Sequence, residues 1–154
     1  MRAVIERVQN ATIVANGENR GEIQYGLLIF LGVGASDTLA DVPILAEKIL
    51  KLRIFSDENG KMNRSILDTQ GDMAVVSNFT LYANCTHGNR PDFFEAGSPA
   101  VADELYTAFL SYMRERVGHL ICGIFGADMQ ISSTCDGPVT ITLDTAHLKK
   151  DKGR

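Results

Sequence analysis

The sequence predicts an α/β protein built from two curled β-sheets with helices on one side. About eight short segments have the apolar pattern of β-strands, and two longer segments have the periodicity of amphipathic helices. The chain has 154 residues, 45% of them hydrophobic, which suits a single domain with an ordinary core. The order of the strands within the sheets does not follow from these patterns.

The first part of the chain supplies a group of predicted strands. Short strands are predicted at residues 3–8 and 11–15, and the Asn-Gly pair that follows them is a strong turn signal. Continuous apolar runs at residues 27–31 and 73–81 predict strands that are buried on both faces. We therefore expect these two runs in the interior of a sheet.

Both predicted helices have clear start signals. Apolar residues recur at helical spacing from Leu39 to Leu50. Because Pro43 is tolerated only in a first turn, Asp41 or a residue just before it is expected to cap this helix. The second helix is expected to open at Ser98-Pro99, a capping hydroxyl followed by a proline at the first helical position. Its inner stripe consists of Ala102, Leu105, Phe109, Met113 and Val117.

The last part of the chain predicts short strands near residues 120–124, 129–133 and 139–143. The final segment alternates cleanly between apolar and polar side chains, so one of its faces is expected to be buried. A Gly-Pro pair lies before it, and such pairs commonly form a turn between two strands.

The charge balance limits the partners that the chain can have. Its formal net charge is −4, whereas proteins that grip long stretches of nucleic acid are usually basic. We therefore expect only a small, local contact with nucleic acid and no extended surface for it. Basic residues cluster at 149–154, where a solubilising tail is expected.

Targeting and redox signals favour a cytoplasmic protein. No apolar run approaches the roughly 18 residues of a membrane span, and no apolar core follows the charged N-terminal segment. The three cysteines are odd in number and lack CxxC spacing, which argues against a disulfide framework or a zinc site. We therefore expect a reducing compartment, no membrane association and no secretion signal.

Two segments depart from the rules of core building. Residues 77–81, Ser-Asn-Phe-Thr-Leu, and residues 135–140, Cys-Asp-Gly-Pro-Val-Thr, place small polar groups inside apolar runs. A buried polar group costs free energy unless it finds a partner, and a Gly-Pro pair removes a donor from a strand. Such departures concentrate at functional sites. The alternative is structural, since Ser and Thr also cap strands and bond to neighbouring carbonyls.

Both segments resemble motifs of the D-aminoacyl-tRNA deacylase family, which carries Ser-Gln-Phe-Thr-Leu and Asn-X-Gly-Pro-Val-Thr. This chain has one change in each motif, with Asn78 where Gln is usual and Cys135 where Asn is usual. The resemblance covers nearly the whole chain. Further similar segments lie at residues 1–8, 26–28, 52–57, 60–63 and 125–130.

The resemblance implies a fold, an assembly and an activity. The implied fold has two curled mixed β-sheets that form a barrel-like layer pair, with two helices packed on one side. Residues 1–146 would form a single deacylase domain, followed by a short basic tail at 147–154. The implied enzyme is a homodimer without a metal or organic cofactor. It hydrolyses the ester at the 3′ end of D-aminoacyl-tRNA, a chiral proofreading step, with mischarged glycyl-tRNA as a further candidate substrate.

The resemblance also implies the catalytic residues. Phe79 and Thr80 would lie in the active site and present backbone N–H groups to the developing oxyanion, while Ser77 and Asn78 shape the pocket. A nucleophilic hydroxyl needs an adjacent base, and no His, Lys or carboxylate is near Thr80 in the sequence. We therefore expect oxyanion stabilisation and positioning, with a water nucleophile and help from the substrate's own 2′-hydroxyl.

Two further pairs complete the implied site. Gly137 and Pro138 would be joined by a cis peptide, reach into the partner subunit's site and exclude L side chains by steric clash. Phe125 and Met129 would line the pocket for the terminal adenosine, where an aromatic face or a polarisable sulfur can meet a base. Plain core packing is the alternative for this last pair.

Two rival hypotheses remain from the sequence. The chain could be a nucleic-acid-binding relative that kept the fold and lost the enzyme, although it ends soon after Asp144 with only a short basic tail. It could also be a catalytically weakened homologue, because Asn78 is one methylene shorter than Gln and Cys135 lacks an amide.

Overall fold

A computed structural model describes residues 1–149 of the chain. The strands are β1 (Arg2–Ala15), β2 (Glu18–Ile23), β3 (Gly26–Gly32), β4 (Phe55–Ser56), β5 (Met62–Arg64), β6 (Asp72–Ser77), β7 (Leu120–Cys122) and β8 (Met129–Asp144). The helices are α1 (Asp41–Leu50), α2 (Ile66–Thr69), α3 (Pro99–Arg114) and α4 (Thr145–Leu148), and a 3₁₀ turn covers Phe79–Tyr82. Most of the basic tail, residues 150–154, lies outside the described residues.

The strands form one large mixed sheet and one small sheet. The large sheet runs β2-β1-β3-β6-β7, and β8 lies antiparallel along β1. β3, β6 and β7 are parallel neighbours, while β1 is antiparallel to β2 and β3. The sheet curls until β2 lies close to β7, which nearly closes it into a barrel. β4 and β5 form the small sheet. The predicted α/β, barrel-like fold class is confirmed.

Apolar side chains are buried on both faces of the large sheet. On one face, Leu27 and Ile29 of β3 pack with the inner sides of α1 and α3 in the larger core. On the other face, Leu28 belongs to a smaller cluster. The remaining fully or nearly fully buried members of that cluster are Val8, Ala11, Ile13, Ile23, Ala74, Val76 and Ile121. This confirms that the run at residues 27–31 is a strand buried on both faces.

The predicted helix starts are confirmed, but each predicted apolar stripe contains one residue that lies outside its helix. In the second stripe this residue is Val117, which follows the end of α3 at Arg114. Ser98 caps α3 by accepting a hydrogen bond from the Val101 N–H, and Pro99 is the first helical residue. α1 begins at Asp41 after a residue that makes no side-chain cap. Leu39 precedes this helix and is 53% exposed, so its place in the buried stripe was predicted wrongly.

Two long strands were predicted as pairs of short ones. β1 is continuous, and the polar pair at its middle marks the point where it exchanges β3 for β2 as its partner. β8 is also continuous, but its register along β1 passes from Cys135 opposite Val8 to Thr140 opposite Glu6. Residues 136–139 therefore bulge out opposite Arg7, and the Gly-Pro pair lies in a β-bulge instead of a turn between strands.

The predicted strand at residues 73–81 is too long. β6 ends at Ser77, because the Asn78 side chain caps the 3₁₀ turn that follows. α2 and α4 were not predicted, since four residues are too few to show helical periodicity. α4 runs across the predicted start of the tail at residue 147. Within residues 1–149, no helix has both the length and the apolar character of a membrane span.

Candidate active site

The candidate site begins where β3 and β6 end side by side. These strands are parallel, and Leu31 pairs with Ser77 at their carboxyl ends. The Asn78 N–H donates to the Leu31 carbonyl at 2.8 Å, which extends the pairing by one residue. In open parallel sheets, ligands bind outside the carboxyl ends of the strands. The polar motif therefore leaves the sheet at the edge where a ligand is expected.

The Asn78 side chain determines how the chain turns away from the sheet. Its Oδ1 accepts a hydrogen bond from the Thr80 N–H at 3.2 Å, and the Thr80 hydroxyl also donates to it. Backbone bonds from Leu81 N–H to Asn78 O and from Ala83 N–H to Thr80 O complete the turn. Asn is a favoured capping residue because its short side chain can fold back on the following amides.

A pocket of about 610 Å³ opens beside this turn. It brings Ser77, Asn78 and Phe79 together with Phe125 and Met129, two segments that the sequence placed in one site from separate parts of the chain. Thr80 is exposed and is not among the residues that line the pocket. The remaining lining residues are Leu31, Val33, Phe93, Ala96, Gly97, Pro99, Ala102, Tyr106, Gly126 and Ala127.

Aromatic side chains form much of the pocket wall. Phe79 is 58% exposed and meets Phe93 edge to face, with ring centroids 4.9 Å apart. Tyr106 lies deeper and donates its hydroxyl to the Val75 carbonyl at 3.1 Å. Burial is the largest cause that raises the pKa of Tyr106, so its hydroxyl stays neutral. The wall can therefore receive the flat face of an aromatic ligand.

Sequence reasoning missed Phe93 and Tyr106. Tyr106 follows Ala102 by four residues and precedes Phe109 by three, so helical spacing could have placed it on the buried side of α3. Phe93 lies in a loop, where no periodic signal exists.

The segment between β7 and β8 lines part of the pocket and leaves no space for a side chain at Gly123. Gly126 adopts a positive φ of +74°, which favours glycine. A Cβ atom added to Gly123 would lie 2.2 Å from the Met129 Sδ, so a side chain at this position would displace the pocket-lining methionine.

The Gly137–Pro138 bulge lies away from the pocket of its own chain. Neither residue lines the pocket, both are exposed, and the peptide bond between them is cis, as the family resemblance implied. The buried Arg7 side chain holds the bulge, with its Nε 2.9 Å from the Asp136 carboxylate and 3.3 Å from the Asp136 carbonyl oxygen. The Arg7 guanidinium also donates to the Ile54 carbonyl at 2.6 Å.

Among residues 1–149, the pocket wall carries no charged side chain. None of these described lining residues is an Asp, Glu, Lys, Arg or His, so none of them can act as a carboxylate or imidazole base. Within residues 1–149, no cluster of His, Cys, Asp and Glu has the composition of a metal site. The chemistry that this wall can supply is positioning and hydrogen-bond donation from backbone and amide groups.

Fold and pocket together define an α/β protein with an uncharged, largely apolar pocket of small-molecule size at the ends of two parallel strands. A family model described as D-Tyr-tRNA(Tyr) deacylase matches residues 4–144, and the chain belongs to this family.

Named relatives cover the chain almost completely. A D-aminoacyl-tRNA deacylase of Dictyoglomus turgidum is 51% identical over 154 residues, 100% of this chain and 99% of the relative. The D-aminoacyl-tRNA deacylase of Thermus aquaticus is 49% identical over 146 residues, 95% of this chain and 96% of the relative.

Solved structures share the fold. One described as the c-Myc DNA unwinding element binding protein has a TM-score of 0.86 and 38% identity, and covers 94% of this chain and 98% of its own. One described as a probable eukaryotic D-amino acid tRNA deacylase has a TM-score of 0.80 over 92% of this chain and 97% of its own. Its identity of 15% supports the fold alone.

Proposed function

We infer that the chain is a D-aminoacyl-tRNA deacylase, which hydrolyses the ester between a D-amino acid and the 3′ end of tRNA. The observation that carries this inference is the pocket itself. The motif at residues 77–79 and the distant Phe125 and Met129 meet in one uncharged cavity in a chain of this family. The products are the free D-amino acid and tRNA.

We propose that Ser77, Asn78, Phe79 and Thr80 form the catalytic segment. Water adds to the ester carbonyl carbon, negative charge develops on the carbonyl oxygen, and the bond to the ribose oxygen then breaks as that oxygen takes up a proton. Backbone N–H groups at Phe79 and Thr80 would stabilise the negative charge. Since the Thr80 N–H already reaches Asn78 Oδ1, it can serve the ester only by sharing or leaving that acceptor.

The proposal places the terminal adenosine in the apolar part of the pocket. Phe125 and Met129 lie on one wall, with Tyr106 tilted toward Phe125 at a ring-centroid distance of 6.1 Å. Aromatic rings and thioether sulfur both make favourable contacts with the face of a base. No metal or organic cofactor is part of the proposed reaction.

We further propose that the active enzyme is a homodimer in which each subunit supplies Gly137 and Pro138 to the pocket of the other. Two observations support this. The bulge is exposed and is bonded to Arg7 through Asp136, yet it lies outside the pocket of its own chain. Within residues 1–149, β8 pairs only with β1, so the other edge of this 16-residue strand is open.

Mixing two inactive variants tests the shared site. One variant carries Phe125→Ala in the pocket, and the other carries Gly137→Val in the bulge. In a mixed dimer, one site receives both intact parts, so about a quarter of all sites should recover activity after random reassociation of equal amounts. No recovery in proven mixed dimers would exclude a clamp from the partner. Sedimentation of each variant checks that dimers form.

The proposed domain covers residues 1–146, with a basic tail at 147–154 of which only the first residues are described. α4 continues to Leu148, so the folded part of the chain extends slightly past the proposed boundary. A cytoplasmic location is also part of the proposal, supported by three free cysteines that suit a reducing compartment.

A second candidate function is DNA binding, because one relative with 38% identity is described as a DNA unwinding element binding protein. The net charge of −4 does not favour it. The two functions are separated by incubating the wild-type protein with D-Tyr-tRNA, glycyl-tRNA and L-Tyr-tRNA, and by titrating it with duplex DNA at two salt concentrations. Hydrolysis of D-Tyr-tRNA without salt-dependent DNA binding supports the deacylase. Tight, salt-dependent DNA binding without hydrolysis supports the second candidate.

A further inference from the structure

A groove with a positively charged wall runs along α1, on a part of the surface that the candidate active site does not use. Its volume is about 800 Å³. Among residues 1–149, its wall carries three cationic side chains and one carboxylate, although the whole chain has a formal net charge of −4. Such a concentration of one charge attracts an anionic partner. The residues of this basic groove are Pro43, Ile44, Glu47, Lys48, Lys51, Leu52, Arg53 and Leu148.

The carboxylate of the basic groove already has partners within the chain. Lys51 Nζ lies 2.7 Å from Glu47 Oε2, and the Tyr112 hydroxyl donates to Glu47 Oε1 at 2.7 Å. The Lys51 ammonium is the largest cause that lowers the pKa of Glu47, so this side chain stays ionised and paired. Among residues 1–149, the exposed Lys48 and Arg53 form no ion pair with a carboxylate. Their two positive charges are therefore available to an anion from outside the chain.

One end of the basic groove is connected to the bulge of β8. Arg53 is followed directly by Ile54, whose carbonyl accepts a hydrogen bond from Arg7 at 2.6 Å. The Nε of the same guanidinium lies 2.9 Å from the Asp136 carboxylate of the bulge. The Arg53 end of the groove and the bulge therefore lie on opposite sides of one buried side chain.

This end of the basic groove is remote from the pocket of its own chain. Arg7 pairs with Leu27, near the start of β3, whereas the pocket opens beside Leu31 at the other end of that strand. In the proposed dimer, the bulge of one subunit enters the pocket of the other. The same movement brings the Arg53 end of the groove to the mouth of that second pocket.

We propose that the basic groove of one subunit binds phosphates of the tRNA whose 3′ end lies in the pocket of the other subunit. This inference rests on the proposed deacylase function and dimer, and it adds a contact beyond the terminal adenosine. Lys48 and Arg53 attract the phosphates by charge, which positions the strand without reading its sequence. The groove is small, which agrees with the local contact expected for a chain of this net charge.

Two substrates separate this contact from the chemistry. D-Tyr-tRNA carries the phosphates that the groove would bind, whereas D-tyrosyl-adenosine has the same ester and no phosphate. In the double variant Lys48→Gln and Arg53→Gln, we expect KM for D-Tyr-tRNA to rise about tenfold at low salt, with kcat changed little. The slope of log KM against log salt concentration should decrease by about 1.4–1.8, the loss of two phosphate contacts. Hydrolysis of D-tyrosyl-adenosine should stay at the wild-type rate, which also shows that the variant is folded.

The matched control is the double variant Arg20→Gln and Arg114→Gln. It also removes two exposed positive charges, at positions that line neither the groove nor the pocket, and its KM should stay near that of the wild type. If the groove double variant does not fold, Lys48→Gln alone should give about half the decrease in slope. An unchanged KM and slope in the groove variants, or an equal change in the control, would overturn the inference. Failure of the wild type to hydrolyse either D-ester would instead overturn the deacylase function.

Mixed dimers show which subunit supplies the groove. With Phe125→Ala in one subunit and Gly137→Val in the other, the working site combines the pocket of the second subunit with the bulge of the first. The two groove substitutions should raise KM when they are added to the Phe125→Ala subunit and leave it unchanged in the Gly137→Val subunit. An equal rise for both placements, or a rise only for the second, would overturn a contact from the partner.

Discussion

At the scale of single residues, Phe79 contributes two groups that can be tested separately, a backbone N–H and an exposed ring. It is the first residue of the 3₁₀ turn, where proline is tolerated, and Asn78 before it is extended, as a residue before proline prefers. Phe79→Pro therefore removes the N–H with little strain, and Phe79→Ala removes only the ring. We expect kcat for the proline variant to be about 10²–10³ lower than for the alanine variant.

Single-turnover hydrolysis of D-Tyr-tRNA measures this difference, with circular dichroism as the control for folding. Equal rates for the two folded variants would show that the Phe79 N–H is not an oxyanion donor. Phe79→Ala itself should mainly raise KM, because the ring also forms an edge-to-face contact with Phe93 at the pocket wall.

At the scale of secondary-structure elements, the β8 bulge depends on one buried side chain. Arg7→Ala leaves the Asp136 carboxylate and the Ile54 carbonyl without their donor. We expect a loss of about 2–4 kcal/mol in the free energy of unfolding, measured by urea titration. The ratio of D-Tyr-tRNA to L-Tyr-tRNA hydrolysis should also fall, because the bulge that carries Pro138 is no longer held.

The matched control is Arg64→Ala, since Arg64 forms an exposed ion pair with Glu58 at 2.7 Å and should cost at most about 1 kcal/mol. If Arg7→Ala lowered the free energy of unfolding but left the ratio of D-Tyr-tRNA to L-Tyr-tRNA hydrolysis unchanged, Arg7 would contribute to stability and not to selectivity.

The contact between α1 and α4 should make stability depend on pH. Asp41 is buried, and burial acts most strongly to raise its pKa. The Lys149 ammonium, 2.6 Å from Asp41 Oδ1, and the hydrogen bond from the Thr38 N–H outweigh this effect, so the pKa of Asp41 is lowered on balance. A carboxyl with a lowered pKa in the folded state stabilises it above the unfolded value of about 4, and this contribution is lost as the pH falls below that value.

Asp41→Asn tests that contribution. At pH 7 the free energy of unfolding, measured in urea, should be about 1–3 kcal/mol lower for the variant than for the wild type. This difference in stability should be smaller at pH 3. Glu58→Gln, at an exposed position, is the control and should change little at either pH. If the difference in stability between wild type and variant is the same at pH 7 and pH 3, the ionised Asp41 carboxylate does not stabilise the fold.

Elements with a regular pattern could be predicted from the sequence, and those defined by partners could not. α3 could be predicted because it starts with Ser98 and Pro99 and carries an apolar stripe at helical spacing. β8 was divided because its Gly-Pro pair looks like a turn locally, whereas pairing with β1 on both sides of the bulge keeps the strand continuous. α2 and α4 are single turns held by the side-chain caps of Ser65 and Asp144, too short for a periodic signal.

The residues of the candidate site also differ in whether the sequence could predict them. The polar motif at residues 77–80 and the apolar pair Phe125 and Met129 were found because they are unusual or resemble family motifs. Phe93 was missed because its position depends on a loop that is folded by long-range backbone bonds, including Gly97 N–H to Val33 O. The hydrogen bond from the Thr80 N–H to Asn78 Oδ1 could not be predicted either, because a sequence does not show which amide faces which acceptor.

At the scale of the whole molecule, the strand order could not be predicted because it depends on pairings between distant segments. β1 pairs with β8 although the two strands are far apart in the sequence. The pairing runs from Arg2 opposite Asp144 to Ala15 opposite Met129. The same pairing places the bulge on the exposed side of the sheet, outside the pocket of its own chain. A complete site with chiral selection therefore requires two copies of the chain in the proposed assembly.

The most direct test of the central claim is the rate of hydrolysis of D-Tyr-tRNA beside L-Tyr-tRNA, measured for the wild type and for Pro138→Ala. The wild type should cleave the D-ester and spare the L-ester, and the variant should narrow that difference because the group proposed to exclude an L side chain has been cut back. A folded, dimeric wild type that cleaves neither ester above background, or both at equal rates, would contradict the account of a chiral deacylase.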